Sequence, residues 1–323
     1  MHDLRRRLVS AALAVGALAP VSAIGQSQDT SSVTSQAAPH KPTRGRITDH
    51  VVIISIDGLR ADAVDKYKME TLERLMKEGR YSLSAQTIPL SFTLPSHTSM
   101  LTGVTPEKHG VIWNSDRAAD LGFSRMPTIF QYAKNAGFNT AAFFSKAKFS
   151  ALMTPGTIDY VVRQGDETNA PWTAEHAIEY VHEFLKNNGE ANLLFVHIAD
   201  GDMAGHSAGW MSRQYGDALQ QADLAVDMVL SDLTTRFGQG NFTVIVSSDH
   251  GGHDRTHGTS SRLDMTIPWI LWGEGVQPGD ELKNIKTMDT AATALWLLGI
   301  EIPNTFDGHP VTSAFEAAAA KAR

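Results

Sequence analysis

The sequence predicts an α/β fold in which helices flank a mostly parallel central sheet. Short apolar runs alternate along the chain with longer stretches whose apolar residues recur at helical spacing. That alternation is typical of parallel sheets, because two parallel strands need a crossover of helix length between them. A hydrophobic content of 42% is sufficient for a buried core, and the chain contains neither an internal repeat nor a second linker.

The N-terminal residues predict a protein that is exported to the periplasm or secreted. A basic start, a short apolar stretch and then small residues, "RRRLVSAALAVGALAPVSAIG", predict a signal peptide over residues 1–25. Residues 26–47 are polar and rich in Ser and Thr, which predicts a flexible leader. We therefore expect one folded domain over 48–323, with no membrane span in the mature chain.

The predicted elements of this domain follow in chain order. The β-branched run "VVIISID" predicts a buried strand at 51–57, and helical spacing predicts a helix at 61–77. Another helix begins near Thr93, since Pro95 suits a first helical turn. The remaining strands are predicted at 139–145, 191–200, 242–250 and 267–273. The remaining helices are predicted at 126–137, 172–188, 212–237 and 289–299.

The composition limits the functions that this chain can have. A formal charge of −7 argues against a general nucleic-acid-binding protein, which needs a basic face. The absence of cysteine excludes disulfides and thiolate metal sites. Thirteen histidines leave imidazole, together with carboxylates, as a source of metal ligands.

Acidic residues stand at the ends of three predicted strands. Asp57 ends the first, Asp200 and Asp202 end the strand at 191–200, and Asp249 ends the strand at 242–250. Because ligands of open α/β sheets bind beyond the carboxyl ends of the strands, we expect these carboxylates to meet at one edge. Such a concentration of negative charge repels itself, and a bound cation resolves the repulsion.

Histidines accompany these carboxylates. Asp202 and His206 are four residues apart in a predicted loop, which suits a zinc pair but equally a capping Asp and a surface His. Asp249 is followed within a glycine-rich loop by three histidines, His250, His253 and His257. Solvation alone does not explain that density, so a metal site is the stronger interpretation.

Thr93 precedes the predicted helix turn of "SFTLPSHTSMLTG", where backbone N–H groups point outward with partial positive charge. Its hydroxyl could cap the helix or attack an electrophile that carries negative charge. The two roles are compatible with the same position.

Four motifs, in this order, resemble the alkaline phosphatase superfamily: "VVIISIDGLR", "TLPSHTSMLTGVTPEKHG", "DMAGHSAG" and "SSDHGGH…HGT". The chain is most similar to the type I phosphodiesterase/nucleotide pyrophosphatase branch, over roughly residues 50 to 310. The resemblance implies an alkaline-phosphatase-like three-layer sandwich and an exported two-metal hydrolase of phosphoester bonds.

The resemblance also implies which residues bind the metal ions and the substrate. One ion is held by Asp57, Asp249 and His250, with the Thr93 oxygen completing its coordination. The second is held by Asp202, His206 and His257, with His253 as the alternative last ligand. Both ions are expected to be Zn²⁺, with manganese or iron as alternatives.

The implied reaction is attack of Thr93 on phosphorus, which forms a phosphothreonine. Asn114 is the implied donor to a phosphoryl oxygen, although it could instead be a turn residue. We expect a small phosphoester substrate, most readily a phosphodiester or pyrophosphate such as a nucleotide. A phosphomonoesterase, a phosphonate hydrolase, a phosphoryl transferase and a metal-binding protein without activity are the alternatives, and the oligomeric state stays open.

The chain departs from the related families at several positions. Ser96 follows Pro95, and His97 stands where sulfatases carry an arginine. Sulfatases use a cysteine-derived formylglycine as nucleophile, so a chain without cysteine is not expected to be a sulfatase. A neutral Asn114 without an accompanying arginine fits a singly charged diester better than a dianionic monoester.

Two further groups of residues have open interpretations. Lys146 and Lys148 could reach a second charged group on the substrate, as lysines do in phosphonoacetate hydrolases, or form a solvated strand edge. Five aromatic side chains could line a leaving-group pocket or pack in the core: Phe92, Trp113, Phe149, Trp172 and Trp210.

Overall fold

A computed structural model describes residues 45–165, 172–187 and 189–315 of this protein. The predicted signal peptide lies outside the described residues, as does the leader up to residue 44. The described strands are β1 Val51–Ile56, β2 Arg80–Gln86, β3 Thr140–Phe144, β4 Tyr160–Arg163, β5 Leu193–Ile198, β6 Thr243–Ser247 and β7 Thr266–Gly273. They form one sheet in the order β2-β7-β6-β1-β5-β3-β4.

The sheet is mostly parallel, as predicted. Strand β1 pairs in parallel with β5 and β6, and β3 pairs in parallel with β4 and β5. Strand β7 is antiparallel to both β6 and β2, so among the described strands it alone runs in the opposite direction. The carboxyl ends of β1, β5 and β6 therefore lie side by side at one edge.

Helices cover both faces of the sheet. The described α-helices are α1 Ala63–Lys66, α2 Glu70–Glu78, α3 Thr93–Thr102, α4 Pro106–His109, α5 Ala118–Leu121, α6 Ile129–Asn135, α7 Ala174–Lys186, α8 Asp200–Ala208, α9 Arg213–Phe237, α10 Arg262–Met265 and α11 Asp289–Leu297. Among the described residues, two 3₁₀ helices lie at Ala147–Leu152 and Thr312–Phe315. No helix among the described residues is both long enough and apolar enough to span a bilayer.

The central strands β1, β3, β5 and β6 are almost wholly apolar because each contributes to two cores. In β1, Val51 and Ile53 pack in one core, whereas Val52, Ile54 and Ile56 pack in the other. The first core also contains residues of α3, α6 and α11, and the second contains residues of α2, α7 and α9. The result is the three-layer arrangement that the sequence predicts.

The structure differs from the predicted elements at several places. The helix predicted at 61–77 is broken into α1 and α2, because Lys68 between them adopts a left-handed conformation with φ of 50°. Strands β2 and β4 were not predicted, and both lie at edges of the sheet, where exposure weakens the apolar signal. Ile47, the last residue of the predicted leader, is already fixed, since its N–H donates to Leu297 O at 2.8 Å.

Candidate active site

Three neighbouring strands bring the predicted carboxylates together. In the register, Ile56 of β1 lies opposite Ile198 of β5, and Ser55 lies opposite Ser247 of β6. Asp57, Asp202 and Asp249 follow these three strand ends at the same edge of the sheet, and all three are buried. The expectation that they meet is therefore met in the fold.

Asp57, Asp249 and His250 form the first group of side chains, and none of them is exposed to solvent. His250 Nε2 lies 3.3 Å from Asp57 Oδ1 and 3.2 Å from Asp249 Oδ2. Thr93 Oγ1 lies 3.4 Å from the same nitrogen. These are the residues that sequence reasoning assigned to one metal ion.

Asp202, His206 and His257 form the second group. Asp202 Oδ1 lies 3.3 Å from His206 Nε2 and 3.4 Å from His257 Nε2. The predicted loop around Asp202 was wrong, since residues 200–208 form helix α8. The four-residue spacing is therefore one helical turn, which places Asp202 and His206 on the same face.

Asp202 connects the two groups. One oxygen or nitrogen from each of Asp202, His206 and His257 lies within 4.8 Å of the others, and the same is true of Asp57, Asp202 and His250. His250 Nε2 is 3.9 Å from Asp202 Oδ1. The ligand atoms are thus close enough for two neighbouring cations.

The histidines are oriented as metal ligands are. In each, the Nδ1–H donates to a backbone carbonyl: His250 to Gly251 at 2.8 Å, His257 to Ser91 at 2.9 Å and His206 to Arg255 at 3.0 Å. A carbonyl can only accept, so Nδ1 carries a proton in each ring, and Nε2 is the ring atom that faces the carboxylates.

The carboxylates complement this orientation. Three buried oxygens, Asp57 Oδ1, Asp202 Oδ1 and Asp249 Oδ2, have no hydrogen-bond partner among the described residues. Lone pairs of nitrogen and oxygen that face one another in a buried site repel, and a divalent cation converts that repulsion into coordination. The residues present therefore fit a metal centre.

His253 lies apart from this cluster. Its Nδ1 is 2.7 Å from the buried carboxylate of Asp264, which also accepts bonds from the N–H and hydroxyl of Thr259. His257 instead stacks on His250, with ring centroids 3.6 Å apart. Of the two alternatives for the last ligand, the structure brings only His257 to the group around Asp202.

The charges of the site shift the pKa values of its members strongly. Burial and the nearby Asp57 raise the pKa of Asp249 to about 7. Burial lowers the pKa of His250, but the negative charges of Asp249, Asp57 and Asp202 outweigh it and raise the pKa to about 9. Burial and the adjacent His250 lower the pKa of His257 to about 4. Such opposed shifts are typical of functional sites.

Lys146 lies between the two groups of acids with 14% of its side chain exposed, so the alternative of a solvated strand edge was wrong for this residue. Its Nζ lies 2.6 Å from Asp57 Oδ2 and 2.5 Å from Asp202 Oδ2. Burial alone lowers the pKa of this amine, but Asp57 and Asp202 raise it above the ordinary value. Lys146 thus offsets part of the negative charge that the acids concentrate.

Asn114 and Lys148 contact each other beside the start of helix α3. Asn114 Oδ1 accepts from the N–H of Leu94 at 3.0 Å and from Lys148 Nζ at 3.2 Å. Both bonds use the amide oxygen, so the amide N–H₂ donors make no bond to the described residues. Burial and the neighbouring Lys146 lower the pKa of Lys148.

A cavity of about 450 Å³ opens beside these residues. Its lining includes Lys146, Lys148, Asp202 and His206, together with Ser115, Asp116, Gln164 and Met203. A small anionic molecule in it would meet both lysines and two residues of the second group, Asp202 and His206.

Thr93 is the first residue of α3, and the N-cap position belongs to Phe92. Its hydroxyl contacts His250 Nε2 rather than a backbone N–H of the helix, so the capping role left open by the sequence is not the one observed. The ring of His97 holds the residue in place, since His97 Nδ1–H donates to Thr93 O at 2.8 Å while Nε2 accepts from Ser55 Oγ at 2.8 Å.

Sequence reasoning missed two polar residues that support the site. His197 Nε2–H donates to Asp57 Oδ2 at 2.9 Å, and Ser55 binds His97. Both lie inside strands that are otherwise apolar, and both are fully buried. A lone polar residue within a buried strand was the available signal, because such groups are rarely buried without a partner.

Comparison with solved structures defines the class of fold. The murine ectonucleotide pyrophosphatase/phosphodiesterase 5, as an inactive variant in complex with AMP, aligns with a TM-score of 0.69 at 14% identity, over 83% of this chain and 99% of that one. The alkaline phosphatase PafA aligns with a TM-score of 0.68 at 14% identity, over 83% and 99%. The predicted alkaline-phosphatase-like fold is confirmed.

The family follows from the sequence comparison. The model of the type I phosphodiesterase/nucleotide pyrophosphatase family matches residues 51–266, and the chain belongs to that family. The human bis(5'-adenosyl)-triphosphatase ENPP4 is 25% identical over 231 residues, which is 67% of this chain and 50% of that protein. Human ectonucleotide pyrophosphatase/phosphodiesterase family member 1 is 25% identical over 222 residues, 63% of this chain and 24% of that protein. The match thus spans half or less of each of these relatives.

Proposed function

We propose that this protein hydrolyses phosphoester bonds, most readily those of phosphodiesters or pyrophosphates, through a phosphothreonine on Thr93. One observation carries the proposal: three buried carboxylates and three histidines, each with an uncommitted ligand atom, converge beside the Thr93 hydroxyl. The relatives support the same bond class, because they are named as a triphosphatase and as pyrophosphatase/phosphodiesterases.

Two divalent cations, with Zn²⁺ as the first expectation, would be held by the two groups of side chains. Nitrogen and oxygen ligands without sulfur suit zinc, and manganese or iron are the alternatives. When bound, such ions supply Lewis acidity, which lowers the pKa of a nearby hydroxyl and balances phosphoryl charge. The holding residues would be Asp57, Asp249 and His250 for one ion, and Asp202, His206 and His257 for the other.

Thr93 would carry the covalent step. Its Oγ, after its proton passes to solvent, forms a bond to phosphorus while the bond from phosphorus to the leaving-group oxygen breaks. Attack by water then breaks the Thr93–phosphorus bond and regenerates the hydroxyl. Thr93 opens the ten-residue helix α3, whose positive end attracts phosphoryl oxygens, and the bond from His97 fixes its backbone.

Asn114 would donate to a nonbridging phosphoryl oxygen. Its amide oxygen is already held by Leu94 N–H and Lys148, which orients the side chain and leaves its N–H₂ for the substrate. A donor placed in advance in this way favours the transition state, where charge on the oxygen is greatest.

Lys148 favours a second candidate, hydrolysis of phosphomonoesters or phosphonates that carry an additional negative charge. This half-buried amine lines the cavity and has no carboxylate partner among the described residues. Rates on matched mono- and diesters distinguish the candidates. If the monoester is the substrate, Lys148→Met should lower kcat/KM on it by about tenfold or more, because a charge-assisted hydrogen bond contributes about 1.5–3 kcal/mol.

We also propose that the protein is exported, on the strength of the pattern in residues 1–25. Expression of the full chain followed by N-terminal sequencing of the mature protein tests this step. Recovery of the chain from the cytoplasmic fraction with Met1 still present would contradict export.

The central experiment measures hydrolysis of an aryl phosphodiester by metal-quantified protein. We expect a chelator to abolish turnover, added zinc to restore it, and Thr93→Ala to remove it while the metal content is retained. Thr98→Ala is the matched control, because this buried hydroxyl of the same helix bonds only to Leu94 O. Full turnover by Thr93→Ala would exclude the covalent route.

A further inference from the structure

Trp210 lies behind the cluster and touches all three chain segments that carry its acids and histidines. It is 7% exposed, so the leaving-group pocket that the sequence left open for it is not where it lies. Its Nε1–H donates to Gly58 O at 3.0 Å, directly after Asp57. Its ring meets His206 edge-on at 5.1 Å between centroids and lies 5.7 Å from His257.

Two glycines form the slot that holds the indole. A Cβ on Gly205 would lie 2.6 Å from Trp210 Cε2, and a Cβ on Gly252 would lie 2.2 Å from the same atom. Gly205 precedes His206 in α8, and Gly252 lies in the loop between His250 and His257. The indole therefore sets the distance between these two segments, and only glycine allows so close an approach.

The contacts of Trp210 are not equal for the two groups of ligands. Its ring contacts two histidines of the second group, His206 and His257, and its third ring contact is to Tyr215, which belongs to neither group. Its single bond to the first group ends on Gly58 O, which also accepts from Tyr215 Oη–H at 2.8 Å. Loss of the indole leaves that second bond in place, whereas the three atoms nearest to the Cβ positions of both Gly205 and Gly252 all belong to the indole.

From these contacts, which rest on the proposed two-metal site, we propose that Trp210 is a positioning residue for the second ion. It holds His206 and His257 at the separation at which both can bind one cation with Asp202. Residues behind metal ligands typically contribute a factor of 10–100 to metal affinity.

The test measures metal binding rather than turnover. Wild type, Trp210→Phe and Trp210→Leu are titrated with Zn²⁺, and the Co²⁺-loaded proteins are examined by visible absorption, which reports coordination geometry. We expect wild type to bind two equivalents. In Trp210→Leu, the second equivalent of Zn²⁺ should bind at least tenfold more weakly than in wild type, and in Trp210→Phe the loss of affinity should be smaller. The affinity for the first equivalent should be unchanged in both variants.

Trp269→Phe is the matched control, because that fully buried indole donates to Thr290 Oγ1 at 3.0 Å in the core. This control variant should be less stable than wild type but should bind both equivalents of Zn²⁺ with unchanged affinity. If Trp210→Leu does not fold, Trp210→Phe decides, since a ring still occupies the slot. If the affinity for the second equivalent is unchanged in the Trp210 variants, or if both equivalents are weakened equally, the role of Trp210 is overturned and the two-metal proposal stands. If the wild-type protein binds fewer than two equivalents of Zn²⁺, the two-metal proposal and the role of Trp210 are both overturned.

Discussion

At the scale of single residues, each acid and histidine of the two groups is held by a hydrogen bond through one polar atom and turns another polar atom toward the cluster. Each clustered histidine commits Nδ1 to a carbonyl and turns Nε2 inward, and three carboxylates keep one buried oxygen without a hydrogen bond. Asn114 follows the same rule, with its oxygen bound twice. A site with fixed side chains and uncommitted atoms is prepared for a ligand before the ligand arrives.

Asn114 allows the donor role to be separated from the structural one. Asn114→Asp keeps an oxygen for Leu94 N–H and Lys148 but removes the amide donor and adds a negative charge. We expect kcat/KM to fall by a factor on the order of 100 or more, since a lost donor of this kind costs about 3 kcal/mol in the transition state. Thermal unfolding should be nearly unchanged in Asn114→Asp and lower in Asn114→Ala. Normal turnover by Asn114→Asp would remove the donor from the mechanism.

At the scale of elements, the site depends on turns that follow three strands and on the contact between helices α3 and α4. Gly58 turns the chain after β1 with φ of +72°, a conformation that side chains with Cβ rarely adopt. A Cβ there would lie 3.0 Å from the Cα of Asp202. The turn thus controls the approach of Asp57 to Asp202.

Gly58→Ala should weaken metal binding as well as destabilise the fold. The new methyl group pushes against the backbone of Asp202, so we expect an affinity at least tenfold lower. Gly137→Ala is the control, because Gly137 has a similar φ of +85° but open space around its Cβ position. Each change carries the cost of a left-handed residue, about 1–3 kcal/mol. Equal metal affinities in the two variants would contradict the steric explanation.

His109 joins α4 to α3 and makes stability depend on pH. The N–H of Val111 donates to His109 Nδ1 at 3.0 Å, so this nitrogen must be unprotonated, and the Nε2–H donates to Ser99 Oγ at 3.0 Å. Burial lowers the pKa of His109 to about 4. Since its folded pKa lies below the value of about 6.5 expected when unfolded, the unfolded chain takes up the proton first as the pH falls.

The free energy of unfolding should therefore decrease between about pH 6.5 and 4, by an amount on the order of 3 kcal/mol from this residue. Urea unfolding across that range measures it. His109→Gln should flatten the curve. Parallel curves for wild type and His109→Gln would show that His109 does not cause the loss of stability at acidic pH.

At the scale of the whole molecule, the sheet concentrates buried negative charge at one edge. Asp57, Asp202 and Asp249 follow three adjacent strands, and Lys146 neutralises only part of their charge. A fold with this arrangement gains stability from any cation that binds the folded chain and not the unfolded one.

Metal removal should therefore lower the melting temperature. At free zinc on the order of 1,000 times Kd, binding contributes about 4 kcal/mol per site, which a chelator would remove. His253→Asn should keep the full metal-dependent change in Tm, and His257→Asn should lose part of it. Identical melting curves with and without chelator would contradict a resident metal.

The sequence by itself determined the order and type of the main elements, because apolar periodicity is a local property of the chain. It also indicated the acids and histidines through their motifs. Only the tertiary structure decided that β6, β1 and β5 are neighbours, that His257 rather than His253 joins Asp202, and that Lys146 lies between Asp57 and Asp202. It alone placed Trp210 between Gly205 and Gly252. These outcomes depend on contacts between residues far apart in the chain, and no local pattern encodes such contacts.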